Sequence, residues 1–227
     1  MSIKEITSLI LQRHQSALQE RPFIVAIDGL SGAGKTTLVK KLERELKYEH
    51  RKVSVFHIDD HIVERDKRYH TGHEEWYEYY YLQWDVEELK RQLFEELHGN
   101  IGTLTLSFYD KAADHIVNKH VTVERDDIVL VEGIFLQREE WRRFFDLILF
   151  LDCPRELRYE RALNRDLYIG DYEERLAKYK RRYWLGEDHY VDTESPVARA
   201  HVVCKATDLG MFDSYHCDEG VKDRHDE

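Results

Sequence analysis

Three prolines, eleven glycines and three cysteines in 227 residues exclude several kinds of protein at once. With so little proline and glycine, and no stretch rich in serine, glycine and proline, nothing reads as a linker between two domains. Cys153, Cys204 and Cys217 are odd in number, widely spaced and free of any C-x-x-C pair. That set excludes a disulfide framework and fits a reducing compartment, the cytoplasm by default. No apolar run approaches the ~18 residues of a membrane span, and Lys4, Glu5 and Arg13 interrupt the first twenty positions, so neither insertion nor secretion is expected. Positive charge is in deficit, with 34 basic against 45 acidic side chains and a net charge of -11. This argues against nucleic acid or an anionic membrane as the main partner. Apolar residues, at 42%, suffice for one large core without staples.

A helix is expected over 2–19, where Ile3, Ile6, Ile10 and Ala17 recur at helical spacing before Arg21-Pro22. Residues 23–27 are apolar throughout, the pattern of a parallel strand covered on both faces. Residues 53–58, 128–131 and 147–151 share it, and 201–204 is a weaker fifth. Helical patterns alternate with these, at Leu38, Val39, Leu42 and Leu46 and as one long stretch over 74–97. The expected fold class is therefore α/β, a mostly parallel five-stranded sheet sandwiched by helices. The alternation within 103–123, with a turn near Asp110, predicts a small β-hairpin outside that sheet. One domain over 1–207 is expected, followed by a mobile acidic tail, 208–227.

Gly29-Leu30-Ser31-Gly32-Ala33-Gly34-Lys35-Thr36 satisfies G-x-x-x-x-G-K-[ST] at every fixed position, after a buried strand and before a helix. In such a P-loop (Walker A) the backbone N–H groups of Gly29, Ser31, Gly32, Ala33, Gly34, Lys35, Thr36 and Thr37 can wrap phosphate oxygens at a helix N-terminus. Lys35 would reach the outer phosphates and the Thr36 hydroxyl would ligate Mg²⁺. ATP is the expected donor, with GTP as the alternative. Asn118-Lys119-His120-Val121 lacks the Asp of a guanine-reading N-K-x-D, and the single LSG triplet lies inside the loop itself.

Ligands of open α/β sheets sit beyond the carboxyl ends of strands, which draws attention to Asp28, Asp59, Asp60 and Glu132. Phosphoryl transfer to an alcohol needs a carboxylate to take the hydroxyl proton and others near the metal. Asp85, three residues before Glu88, reads from its spacing as a helix cap. Arg158, Arg161 and Arg165 fall within one sector of a helix after Pro154, a face suited to clamping polyphosphate, and Lys178 to Arg182 extend the basic stretch. The aromatics from Trp76 to Trp84 suit either an acceptor pocket or a subunit contact in a homo-oligomer. The pairs His57 with His61 and His70 with His73, and the set Cys204, His216 and Cys217, show no compact zinc spacing.

DGLSGAGKTT, HIDD, YLQWDVEEL, VLVEGIF, LDCPRELRYERALNRD and KYKRRYWLGEDHY, in this order, resemble the uridine kinase family of P-loop kinases, with pantothenate kinase, phosphoribulokinase and nicotinamide riboside kinase as relatives. The likeness covers 23–203 and implies a P-loop NTPase fold with a helical lid over 154–185. It implies ATP- and Mg²⁺-dependent phosphorylation of a nucleoside 5′-hydroxyl, uridine or cytidine first, with another small alcohol such as nicotinamide riboside or pantothenate next. Asp59 would be the general base, and Asp85 would hold ribose hydroxyls. Glu132 would lie near Mg²⁺ and Arg161 and Arg165 over the phosphates, while Tyr109, Asp110 and His115 of the hairpin would help to hold the nucleoside. The family hairpin places its His five residues after the Tyr, whereas His115 stands six after Tyr109. YLQWDV looks closer to nicotinamide riboside kinase. From another class, a non-catalytic nucleotide sensor is the competing reading, opposed by Asp59, Glu132 and the arginines.

Overall fold

Five runs of apolar sequence pair into one parallel sheet whose order sets the position of everything else. The computed structural model describes residues 1–17, 20–99 and 102–206. The strands β1 (Phe23–Asp28), β2 (Val53–His57), β5 (Ile128–Glu132), β6 (Leu147–Asp152) and β7 (Val202–Lys205) lie in the order β2-β5-β1-β6-β7. All four pairings are parallel. An antiparallel hairpin, β3 (Gly102–Asp110) and β4 (His115–Val123), forms a separate two-stranded sheet.

Burial of both faces explains the unbroken apolar strands. Ile24 and Ala26 of β1 point into one core with Phe56, Val129, Val131, Trp84 and Trp141. Val25 and Ile27 point into the other, against α1 (Ile3–Ser16) and α2 (Lys35–Tyr48) through Ile6, Ile10, Leu38 and Leu42. Three further helices matter for the site: α3 (Glu75–Tyr81), α4 (Arg155–Arg165) and α5 (Trp184–Glu194). Among the described residues, no helix is long and apolar enough to cross a membrane.

Several boundaries differ from the sequence reading, each for a local reason. The first helix ends at Ser16 and begins with a Ser2–Glu5 capping box. Ile58 leaves the second strand to open a 3-10 turn, Ile58–His61, and the last strand runs one residue later than 201–204. The stretch 74–97 is not one helix. After α3 the chain breaks at Leu82, the Trp84 indole donates to the Ile58 carbonyl at 2.8 Å, and Asp85 caps a new helix, Val86–Leu89, that continues through a π-helical turn, Lys90–Glu95. Burying the Trp84 ring offsets the lost helical hydrogen bonds. Tyr79, Tyr80 and Trp84 are core residues rather than an exposed aromatic face, whereas Tyr81 is exposed. The tail 208–227, with His216 and Cys217, lies outside the described residues.

Candidate active site

The carboxyl ends of β1, β5 and β2 lie side by side, with Ile27 and His57 both opposite Glu132 in register. Each strand hands a different group to the same cleft: β1 the phosphate loop, β5 Glu132, and β2 the turn carrying Asp59 and Asp60. This is the crevice in which an open parallel sheet binds ligands.

The loop has the geometry of an anion cradle. Gly34 caps α2 with no side-chain hydrogen bond, so the first amides of a 14-residue helix are left for a ligand. Four of the amides expected to wrap phosphate are instead engaged within the protein: Gly29 N–H donates to Asp28 Oδ1 at 2.8 Å, Ser31 N–H to Glu187 Oε1 at 2.9 Å, Ala33 N–H to the Leu30 carbonyl at 3.2 Å and Thr37 N–H to the Gly34 carbonyl at 3.0 Å. Gly29 packs so closely on the next strand that a Cβ would stand 2.8 Å from the Leu151 carbonyl oxygen. Lys35 Nζ donates to the Leu30 carbonyl at 3.2 Å, folding its charge over the loop.

Thr36 Oγ1 lies 3.5 Å from both Glu132 carboxylate oxygens, and His57 Nδ1 donates to Glu132 Oε2 at 2.6 Å. Burial raises the Glu132 carboxyl, but the His57 hydrogen bond and the Lys35 charge outweigh it, leaving it below its ordinary value. A hydroxyl beside an ionised carboxylate is an all-oxygen donor pair of the kind that suits Mg²⁺. Asp59 is exposed at the surface, but the protein around it takes water from its carboxylate. That desolvation, with Glu132 and Asp60 nearby, raises its carboxyl against the pull of Lys35 and Arg165. A carboxylate made more basic in this way is better matched to accepting a hydroxyl proton.

The arginine stripe divides. Arg161 Nη1 lies 3.4 Å from the Gly32 carbonyl, at the loop. Arg165 faces the cleft, held by Asp166 at 2.7 and 3.1 Å, and Tyr179 hydrogen-bonds the same carboxylate. Arg158 turns inward and is 4% exposed, paired with Glu187 rather than presented to a ligand. The basic stretch at 178–182 is likewise not all surface, because Arg182 is fully buried on Glu78 at 3.0 Å and Arg181 pairs with Glu75 at 2.9 Å. Asp28 is also withdrawn from the cleft. It is fully buried, accepting from Tyr190 Oη at 2.6 Å, Gln137 Nε2 at 2.9 Å and the Gly29 amide at 2.8 Å. Burial raises its carboxyl despite these donors.

The hairpin tip is tied to the segment after the Asp59 turn, Arg65 N–H donating to Asp114 Oδ1 at 3.1 Å. Tyr109 Oη donates to Asp114 at 2.8 Å and accepts from Arg68 Nη2 at 3.3 Å. The Asp110 carboxylate accepts the turn amides of Ala112 and Ala113, and His115, exposed, pairs opposite Asp110. Lys111 Nζ stands 4.5 Å from the Tyr168 ring, joining the tip to the segment after α4. Asp85 is exposed, its carboxylate accepting the Glu88 amide at 3.0 Å, which is the capping arrangement that its spacing predicts.

His57, Asp166, Tyr179 and Glu187 were not singled out from sequence for these contacts. Only Asp166 had a local signal, its place directly after Arg165. His61, whose spacing from His57 does not read as a zinc site, spends Nδ1 on the Ser107 carbonyl at 2.7 Å, tying the Asp59 turn to the hairpin.

The Phosphoribulokinase / Uridine kinase family model matches residues 24–195. A uridine kinase of Lactobacillus helveticus (strain DPC 4571) is 29% identical over 154 residues, covering 65% of this chain and 69% of its own. A solved structure described as a possible uridine kinase from Bacillus stearothermophilus is 44% identical, with a TM-score of 0.73 and coverage of 88% of this chain and 96% of that one. D-glycerate 3-kinase from Cryptococcus neoformans var. grubii shares the fold alone, at 11% identity, a TM-score of 0.63 and coverage of 90% and 96%. The match of the family model over most of the chain, on a five-stranded parallel sheet that carries a phosphate loop, places the protein in the Phosphoribulokinase / Uridine kinase family, with the P-loop kinase fold.

Proposed function

We propose that the protein transfers a phosphoryl group from ATP to the 5′-hydroxyl of a nucleoside, uridine or cytidine first, with Mg²⁺ as the metal. The observation that carries the reading is the convergence of Lys35, Thr36, Glu132 and Asp59 on one cleft, with the Asp59 carboxyl raised and the Glu132 carboxyl lowered. Two carboxylates pushed apart in this way divide the labour of proton acceptor and metal holder. The relatives named as uridine kinases support the nucleoside as acceptor.

MgATP, when bound, supplies the electrophilic phosphoryl group. The loop amides and Lys35 bind and orient its phosphates, and Thr36 with Glu132 would hold the metal. Asp59 accepts the proton from the acceptor oxygen and orients that oxygen for attack. Arg161 and Arg165 offset the charge that spreads over the transferred group. Asp85 holds ribose hydroxyls, while Tyr109, Asp110 and His115 border the base from the hairpin.

The test is ADP release by the purified protein with ATP and Mg²⁺ across uridine, cytidine, purine nucleosides, nicotinamide riboside and pantothenate. Stimulation by uridine or cytidine is the expected outcome. Stimulation by pantothenate alone would replace the nucleoside with another alcohol, and ATP binding without any stimulated turnover would overturn the kinase reading.

A further inference from the structure

The Ser31 peptide in the phosphate loop is held at both ends by a buried pair of opposite charges. Its N–H donates to Glu187 Oε1 at 2.9 Å, and its carbonyl accepts from Arg158 Nη1 at 3.3 Å. The two side chains meet at 2.8 Å, with side-chain exposures of only 5% and 2%. Arg158 also donates through Nε to the Cys153 carbonyl at 3.2 Å. Arg158 comes from α4, near the start of the 154–185 segment, and Glu187 from α5, just beyond its end, so both ends of that segment converge on one loop residue.

A buried carboxylate beside an anion-binding loop is adverse by itself, because it opposes the phosphates that the loop must attract. Nor is a buried ion pair a natural choice for stability, since desolvation consumes most of its Coulombic gain. The pair does supply orientation. With its N–H captured by Glu187, the Ser31 amide is withheld from a phosphate, while the Gly34 cap leaves the first amides of α2 to a ligand.

We infer that Arg158 and Glu187 are positioning residues for the nucleotide: Glu187 sets the orientation of the Ser31 peptide, and Arg158 screens the Glu187 charge from the phosphates. The inference rests on the nucleotide reading above and predicts an asymmetry that a purely structural pair would not show. Removing the arginine charge leaves an uncompensated anion at the loop. Removing the glutamate charge leaves a cation.

The experiment is calorimetric titration of MgATP into wild type, Arg158→Gln, Glu187→Gln and the double variant, with melting temperatures measured alongside. Asp146→Asn, which breaks the Arg21 ion pair beside the start of β1, serves as a destabilised control remote from the loop. Arg158→Gln should weaken MgATP by about tenfold or more. Glu187→Gln removes the charge but keeps a side-chain oxygen able to accept the Ser31 N–H, so it should bind MgATP at least as tightly as wild type although its melting temperature falls, and the double variant should recover most of the Arg158→Gln loss. Weaker binding by Glu187→Gln, or a double variant no better than Arg158→Gln, would overturn the inference. If Arg158→Gln does not fold, the Glu187→Gln affinity decides by its sign. Failure of the wild type to bind MgATP would instead strike the nucleotide reading itself.

Discussion

Replacing Gly32 with alanine separates backbone strain from loop geometry, because a second glycine shares the first and not the second. Gly32 has φ +77°, and a Cβ there would stand 2.4 Å from the Arg158 carbonyl oxygen and 3.1 Å from its Cα and C. Gly72 has φ +92° with nothing within 4 Å of the added carbon. The left-handed conformation costs an L-residue about 1–2 kcal/mol at either position. At Gly32 the neighbour is helical backbone, which must retreat by about 1 Å to restore ordinary contact, adding about 1–3 kcal/mol of overpacking. For a chain of this size the strain alone lowers the melting temperature by about 5 °C, and Gly32→Ala should lose at least about twice as much. Displacing a phosphate-binding loop by about 1 Å should also weaken MgATP by about 10- to 100-fold, whereas Gly72→Ala should bind it normally. Thermal melts with calorimetric MgATP titration of both variants provide the assay. Wild-type MgATP affinity in Gly32→Ala would refute the view that contact with α4 sets the loop's shape.

Four further outcomes are expected. Lys35→Ala should abolish MgATP-dependent turnover while thermal melts stay near wild type, since its described hydrogen bond is a single one to the loop. Asp59→Asn should keep MgATP affinity in calorimetry and lower kcat by about 10²- to 10⁴-fold. Asp85→Asn preserves the helix cap, because Asn caps about as well as Asp; an acceptor KM raised about tenfold in steady-state kinetics, with unchanged melting, would mark the ribose contact. His14 is buried, and that burial, with Arg51 nearby, holds its pKa below the ordinary value of 6.5. The unfolded chain therefore binds a proton that the folded chain refuses, so this contribution to stability is complete above pH 6.5 and is lost as pH falls towards the depressed folded pKa. Melts of His14→Phe between pH 7.5 and 5.5 should fall less steeply than those of wild type.

The parts of this protein visible in its sequence are those whose cause is local. Four apolar runs announced buried parallel strands because a strand covered on both faces must be apolar at every position. The phosphate loop was legible because its glycines, Lys35 and Thr36 act from consecutive positions, and the Asp85 cap because its partner amide lies three residues on. Helical periodicity placed three arginines on one face of α4 but could not say which way that face turns. Arg158 is drawn inward by a carboxylate 29 positions away, and Asp28 is sealed by Tyr190, 162 positions away, and Gln137, 109 away. The 74–97 stretch broke for the same kind of reason, since the Trp84 indole found the Ile58 carbonyl 26 positions earlier. Composition and spacing specify which segments can form strands, helices and a phosphate loop. Which charged groups face the cleft and which are buried beneath it depends on the order in which the sheet assembles its strands, because only that order brings a distant partner close enough to compensate a buried charge.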